Sequence, residues 1–207
     1  VESVRRSFQE FSSQFIRYND IGFSLDCPVI KGDAEFEQVK GRVLRDMVDL
    51  ESGAIVNPDE NRRVGHFWLR NPDIAPDKDT RNYIQESIEK VKCFSENIRD
   101  RTTLGPSNKS FSEVLWIGIG GSVLGVQFAS AALVEKQDMV MHYLDNCDPD
   151  GIEDSLRGIR DLSQTLVVVV SKSGNTTETL LCLKEVEATC CKYGLRFAAQ
   201  AVAVTEK

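Results

Sequence analysis

Apolar residues fall into two regimes along this chain, with the changeover near residue 105. In the first stretch they recur every three or four positions, as in Phe36, Val39, Val43, Met47 and Leu50. That period puts them on one face of an amphipathic helix, and Gly53 follows where a helix should stop. Pro58 then opens an extended or turn segment, Asn57-Pro58-Asp59-Glu60. After the Pro- and Asp-rich residues 71–79, a second stripe of Tyr83, Ile84, Ile88, Val91 and Ile98 predicts another helix. Both stripes are expected to pack as core. Gly105-Pro106-Ser107-Asn108 reads as a boundary loop. Residues 1–105 are therefore expected to form a helical N-terminal segment, and 106–207 a distinct domain.

Beyond Phe111 the apolar residues come in short continuous runs. Strands are expected at 114–119, 140–144, 166–170 and 197–204. The run Leu166-Val167-Val168-Val169-Val170 has the signature of a strand buried on both faces. Between the strands lie a small-residue helical stretch ending at Leu133, a short helix at 152–159, and a longer one at 178–193. Strands alternating with helices imply a parallel sheet joined by right-handed crossovers. The second half is expected to be a doubly wound α/β domain.

Composition narrows this little. With 41% hydrophobic and 28% charged residues, disordered and collagenous classes are excluded. No apolar run approaches the ~20 residues that a membrane-spanning helix needs, so no membrane partner is expected. The chain starts at Val1 and ends at Lys207, and its 207 residues are expected to be a piece of a longer protein. A net charge of −7 without a basic stripe argues against a general nucleic-acid binder. Cys27, Cys93, Cys147, Cys182, Cys190 and Cys191 include no CxxC, and no Cys/His pair stands at zinc spacing. They are expected to be reduced thiols in an intracellular compartment, with no bound metal. No secretory signal is recognisable at the N-terminus.

The candidate chemistry sits in two loops after predicted strands, where open α/β sheets bind ligands. One is Gly118-Ile119-Gly120-Gly121-Ser122, whose glycines let backbone approach a ligand beside a helix N-terminus. A bland alternative is a tight strand-to-helix turn. A dinucleotide-binding Rossmann domain is a further alternative: Asp145 ends the second strand where a ribose-binding acid would lie. Val123, however, occupies the place of the third glycine in GxGxxG. The second loop is Ser171-Lys172-Ser173-Gly174-Asn175-Thr176-Thr177. Four hydroxyls, one ammonium and a permissive glycine precede a helix N-terminus, whose dipole favours negative charge. Capping by Asn175 or Thr176 explains one hydroxyl, not four. No Walker A motif is present, so a phosphate monoester fits better than a polyphosphate.

At these loops the chain resembles the sugar isomerase (SIS) fold. Within it, the chain is most similar to the glucose-6-phosphate isomerase family of plant-plastid and cyanobacterial type. The resemblance rests on Asn57-Pro58-Asp59-Glu60 with Val64-Gly65-His66-Phe67-Trp68-Leu69-Arg70, on Ile117-Gly118-Ile119-Gly120-Gly121-Ser122, and on residues 170–179, Val-Ser-Lys-Ser-Gly-Asn-Thr-Thr-Glu-Thr. It implies that Gly121 and Ser122 contact a sugar phosphate. Ser171, Lys172, Ser173, Gly174, Asn175 and Thr176 would hold its phosphate, with Lys172 near the sugar as a possible auxiliary. Two departures stand out: Val126 where relatives usually have Pro, and Asn175 in place of a common Gly. Asn tolerates a left-handed backbone, so the loop is expected to survive the second change.

The resemblance further implies interconversion of glucose 6-phosphate and fructose 6-phosphate through an enediol, in glycolysis and gluconeogenesis, without a cofactor. Such chemistry needs a positioned base and an acid/base for ring opening. In the family both lie in a second SIS domain, expected to follow this N-terminal part. Glu178, His66 and His142 are expected to be structural, and no catalytic residue is expected in this chain. The family's homodimeric state and a cytosolic or plastid-stromal location follow as expectations. A non-catalytic phosphosugar-binding module is the alternative.

Overall fold

The computed structural model of the chain describes residues 15–26, 34–133 and 139–206. The chain divides into two compact units, Val1–Glu89 and Lys90–Lys207.

In the first unit, β1 (Phe15–Tyr18) and β2 (Phe23–Asp26) pair as an antiparallel ribbon. Helix α1 (Ala34–Glu51) follows. Sequence periodicity predicts α1, but none of its residues is buried, and Val39, Val43 and Met47 stay exposed. Periodicity decides which positions share a helix face, not what covers that face. The segment expected to be extended or a turn forms a hairpin of β3 (Ile55–Asn57) and β4 (Arg62–Arg63). Its turn is shaped by Asn57, whose side-chain oxygen accepts from Glu60 N–H at 3.2 Å, and by Asn61 at φ +52°. The short helix α2 (His66–Arg70) then buries Trp68, whose indole N–H donates to the Glu51 carbonyl at 2.8 Å. Two hairpins thus accompany the helices expected within residues 1–105. Strands of two to four residues are too short to show a period of two.

Helix α3 (Lys78–Arg99) carries the chain into the second unit, where its Ile98 is buried. Four parallel strands follow: β5 (Glu113–Ile117), β6 (Val140–Leu144), β7 (Thr165–Val170) and β8 (Ala201–Val204), in the order β6-β5-β7-β8. Helices α4 (Leu124–Leu133), α5 (Pro149–Gly158) and α6 (Thr177–Lys192) form the crossovers. The doubly wound α/β expectation is realised. The first strand stops at Ile117, two residues before its expected end, and the last is shorter than expected because Phe197–Ala199 turns as a 3-10 helix before it.

Alternation along the central strands sends side chains to two cores. Leu115, Ile117 and Val167 pack with Ile152 of α5 and with Cys182, Val186 and Cys190 of α6. Val114, Leu166 and Val168 pack with Phe111 and Ile98 on the other face. Both faces are covered, which is why β5 and β7 read as continuous apolar runs.

Among the described residues, Cys93, Cys147, Cys182, Cys190 and Cys191 are unpaired thiols, while Cys27 lies outside the described residues. Burial pushes the Cys182 and Cys190 thiols up from the ordinary value. The folded state therefore holds these two protons more tightly than the unfolded chain does. Their contribution to stability is complete below the unfolded thiol value of about 8.5 and is lost as pH rises through the raised folded values. Urea midpoints measured at about pH 7 and pH 10 should fall with alkalinity. The fall should be smaller in a Cys190→Ala variant; an equal fall in both proteins would refute this account.

Candidate functional site

The order β6-β5-β7-β8 contains one reversal. From β5 the chain crosses to β6 on one side, then returns past β5 to β7 on the other. A crevice opens at such a switch point, outside the carboxyl ends of the two strands that flank it. Those strands are β5 and β7, paired in parallel with Ile117 opposite Val169. The two loops singled out in the sequence leave from these ends: residues 118–122 from β5 and 171–176 from β7.

The first loop is shaped by close packing and one left-handed residue. A side chain at Gly118 would place Cβ 3.0 Å from both the Ser122 carbonyl oxygen and its Cβ, so only glycine lets the turn close. Trp116 holds the same carbonyl, its indole N–H donating to Ser122 O at 2.8 Å. Gly120 sits at φ +55°, and a Cβ at Gly120 or Gly121 would meet nothing within 4 Å. Their backbone therefore faces open space at the loop's outer side, as close approach of a ligand requires.

The second loop is a network of short hydroxyl contacts. Ser171, largely buried, has its Oγ 3.0 Å from Thr176 Oγ1, and also accepts from Gly174 N–H at 3.1 Å. Two hydroxyls sharing one hydrogen bond retain one further proton between them, which an outside acceptor can take. Ser173 Oγ accepts from Asn175 N–H at 3.2 Å. The left-handed position is Gly174, at φ +67°, so Asn175 is not the residue that must adopt that conformation. Thr176 is the N-cap of α6 by position, but its side chain makes no capping hydrogen bond and pairs with Ser171 instead. Capping therefore does not account for the hydroxyl cluster, and the positive end of a 16-residue helix lies immediately beneath it. The Lys172 carbonyl accepts from Glu206 N–H at 3.3 Å, anchoring the loop to the segment after β8.

Sequence reasoning missed Trp116 and Thr179. Thr179 lies in the first turn of α6 with its Oγ1 buried and without a hydrogen-bond partner. Its spacing from Thr176 was the available signal. Glu178, in the same turn, is exposed. His142 is no part of the crevice: its Nε2 is 2.7 Å from a carboxylate oxygen of Glu113, at the opposite, amino-terminal end of the sheet. His66 is exposed in the first unit beside the Phe67 ring. Asp145, the candidate ribose-binding acid, accepts from the Gln127 side-chain amide at 2.9 Å and from the Asn146 side-chain amide at 3.0 Å. Val123 is buried where a nucleotide fold places its third glycine.

A cavity of about 630 Å³ lies at the amino-terminal edge, lined in part by Arg157, Arg160, Asp161, Lys192 and Tyr193. Neither loop borders it. Helices α5 and α6 end there, and basic residues near helix C-termini are explained by the dipole. Both loops lie at the other, carboxyl-terminal edge of the sheet.

A sequence model of the Phosphoglucose isomerase family matches residues 35–205, spanning both loops. The chain belongs to the phosphoglucose isomerase family. Among its relatives, the glucose-6-phosphate isomerase of Synechococcus sp. (strain JA-3-3Ab) is 49% identical over 79% of this chain. That of Nostoc punctiforme (strain ATCC 29133 / PCC 73102) is 38% identical over 98% of it. The chain spans only 31% and 39% of these relatives' own lengths. A glucose-6-phosphate isomerase crystal structure from Chlamydia trachomatis D/UW-3/Cx superposes with a TM-score of 0.75 at 27% identity, covering 96% of this chain and 40% of that one. In this phosphoglucose isomerase family member, both matched loops therefore lie at one switch point.

Proposed function

We propose that this chain provides the phosphate-binding part of a glucose-6-phosphate isomerase, which interconverts glucose 6-phosphate and fructose 6-phosphate through an enediol. The observation that carries the reading is the meeting of residues 118–122 and 171–176 at the β5/β7 switch point. Ser171, Ser173 and Thr176 hydroxyls, together with the α6 N-terminus, suit the dianion of a phosphate monoester. Gly121 and Ser122 lie on the neighbouring strand end, where the sugar would extend, and Lys172 supplies a positive charge beside it. Gly174 and Asn175 shape the loop rather than contribute side-chain chemistry. No cofactor enters this reading.

Proton transfer between C1 and C2 needs a base and a ring-opening acid. Glu178 would stand beside the phosphate, a poor position from which to reach C2. The reading therefore places the base in the greater length that the relatives have and this chain does not span. Residues 106–207 form the phosphosugar-binding domain of this proposal, after an N-terminal segment of residues 1–105. A homodimeric whole protein in cytosol or plastid stroma belongs to the same reading. Among the described residues no helix is long and apolar enough to cross a membrane.

Calorimetric titration with glucose 6-phosphate tests the phosphate site, and a coupled fructose 6-phosphate assay tests turnover. The expected outcome is binding without measurable turnover by this chain. Absence of binding by the folded chain and by the full-length protein alike would overturn the reading. Turnover by the chain alone would refute the placement of the base. Binding of NAD(H) in place of the sugar phosphate would instead favour a dinucleotide domain.

A further inference from the structure

We propose that Cys147 and Cys182 are a redox modification site, an exposed and a buried thiol placed to form a disulfide that ties the phosphate-loop helix to the end of β6. Cys182 lies in the second turn of α6, fully buried, and its thiol donates to the Asn146 carbonyl at 3.1 Å. Cys147 is the next residue along, and is exposed. One trans peptide unit sets the Cys147 Cα about 3 Å from that same carbonyl oxygen. The Cys182 sulfur and the Cys147 backbone thus meet around a single atom. The two thiols also sense each other electrostatically: after burial itself, Cys147 is the strongest influence keeping Cys182 protonated. Cys190, the other buried thiol, faces the Gln200 side-chain amide at 3.8 Å.

The oxidant is a low-molecular-weight disulfide such as glutathione disulfide. The Cys147 thiolate, its proton released to solvent, attacks one sulfur of that disulfide. The S–S bond breaks, and one small thiolate leaves and takes up a proton. Cys182 then gives its proton to solvent, and its sulfur attacks Cys147 Sγ and expels the second small thiolate, which is protonated in turn. Two protein thiols have become one disulfide, and one small disulfide has become two thiols. Because Cys182 is held protonated, the second step accelerates as pH rises. The new bond removes the thiol's hydrogen bond to Asn146 and pins α6, the helix that follows the Ser171–Thr176 loop, five residues after its start.

The test incubates the chain with glutathione disulfide at about pH 7 and about pH 9, quenches free thiols, and maps peptides by mass spectrometry. The expected result is a crosslinked peptide joining Cys147 to Cys182, formed faster at the higher pH and reversed by a dithiol reductant. It should vanish in Cys147→Ser, a surface change that leaves the fold intact, and persist in Cys191→Ser. Absence of the crosslinked peptide in the unsubstituted chain overturns the proposal, whether Cys147 carries glutathione or nothing. So does a crosslink that survives Cys147→Ser.

Discussion

Glucose 6-phosphate should bind roughly ten- to a hundred-fold more weakly when Ser171 is replaced by Ala, since a hydrogen bond to a charged group contributes about 1.5–3 kcal/mol. The effect has two sources. The Ser171 hydroxyl is half of the pair that, in the proposed function, offers a proton to the phosphate, and the same oxygen accepts the Gly174 N–H at 3.1 Å. Without that acceptor, the Gly174 N–H keeps only its backbone bond to the Ser171 carbonyl at 3.2 Å, which loosens the left-handed turn. Thr176→Val removes the other half of the pair while keeping its shape. Because the two hydroxyls act as one unit, the double variant should lose less than the sum of the single losses. Titration calorimetry on the three variants, with inorganic phosphate as a second ligand, measures this. An unchanged affinity in Ser171→Ala would remove the loop from the phosphate site. A Thr189→Ala change, far along α6, should leave affinity untouched.

The largest loss of stability should come from Glu113→Ala. Glu113 opens β5 almost wholly buried, and its carboxylate serves three partners: His142 Nε2 at 2.7 Å, Arg160 N–H at 3.1 Å and Asp161 N–H at 3.3 Å. These partners come from β6 and from the connection that leads into β7, so one side chain ties the starts of three adjacent strands. Removing it leaves two part-buried backbone donors and a ring nitrogen unpaired, at a cost of up to about 1–3 kcal/mol for each group. A total of about 3–5 kcal/mol is a large part of the ~5–15 kcal/mol that holds an ordinary domain folded. Denaturant unfolding followed by far-ultraviolet circular dichroism should show the midpoint falling sharply. Glu113→Gln, which keeps an acceptor of the same length, should restore much of the loss. A drop below about 1 kcal/mol would show that other contacts hold this corner.

The carboxylate also shows where sequence reading stops. In the linear sequence, Glu113 is a polar residue ahead of an apolar run, and nothing marks it as buried. Its partners lie 29, 47 and 48 positions away and become neighbours only when parallel pairing aligns the strand starts. The apolar stripe of α1 is the converse case. Its spacing predicts the helix correctly, yet Val43 and Met47 remain at the surface, because period alone names no covering element. The β1–β2 hairpin was likewise hidden, and β3–β4 showed only as an extended or turn segment, since a few residues do not establish alternation.

The loops were legible because their chemistry is local. Glycine at a tight turn, hydroxyls clustered before a helix, and β-branched runs in buried strands are all properties of neighbouring residues. Sequence by itself therefore determined the doubly wound class of the second half, the approximate positions of its strands, and both candidate loops. Tertiary structure alone decided that the two loops leave the ends of adjacent strands. The return crossover from β6 passes over β5 and lays β7 along its free edge, which brings residues separated by about fifty positions to one crevice. The same folding gave Ser171 its partner in Thr176, gave Glu113 its three donors, and set Cys182 against the residue before Cys147. Each is a contact between distant or oriented groups, and side-chain direction and strand order are fixed only when the sheet closes its core.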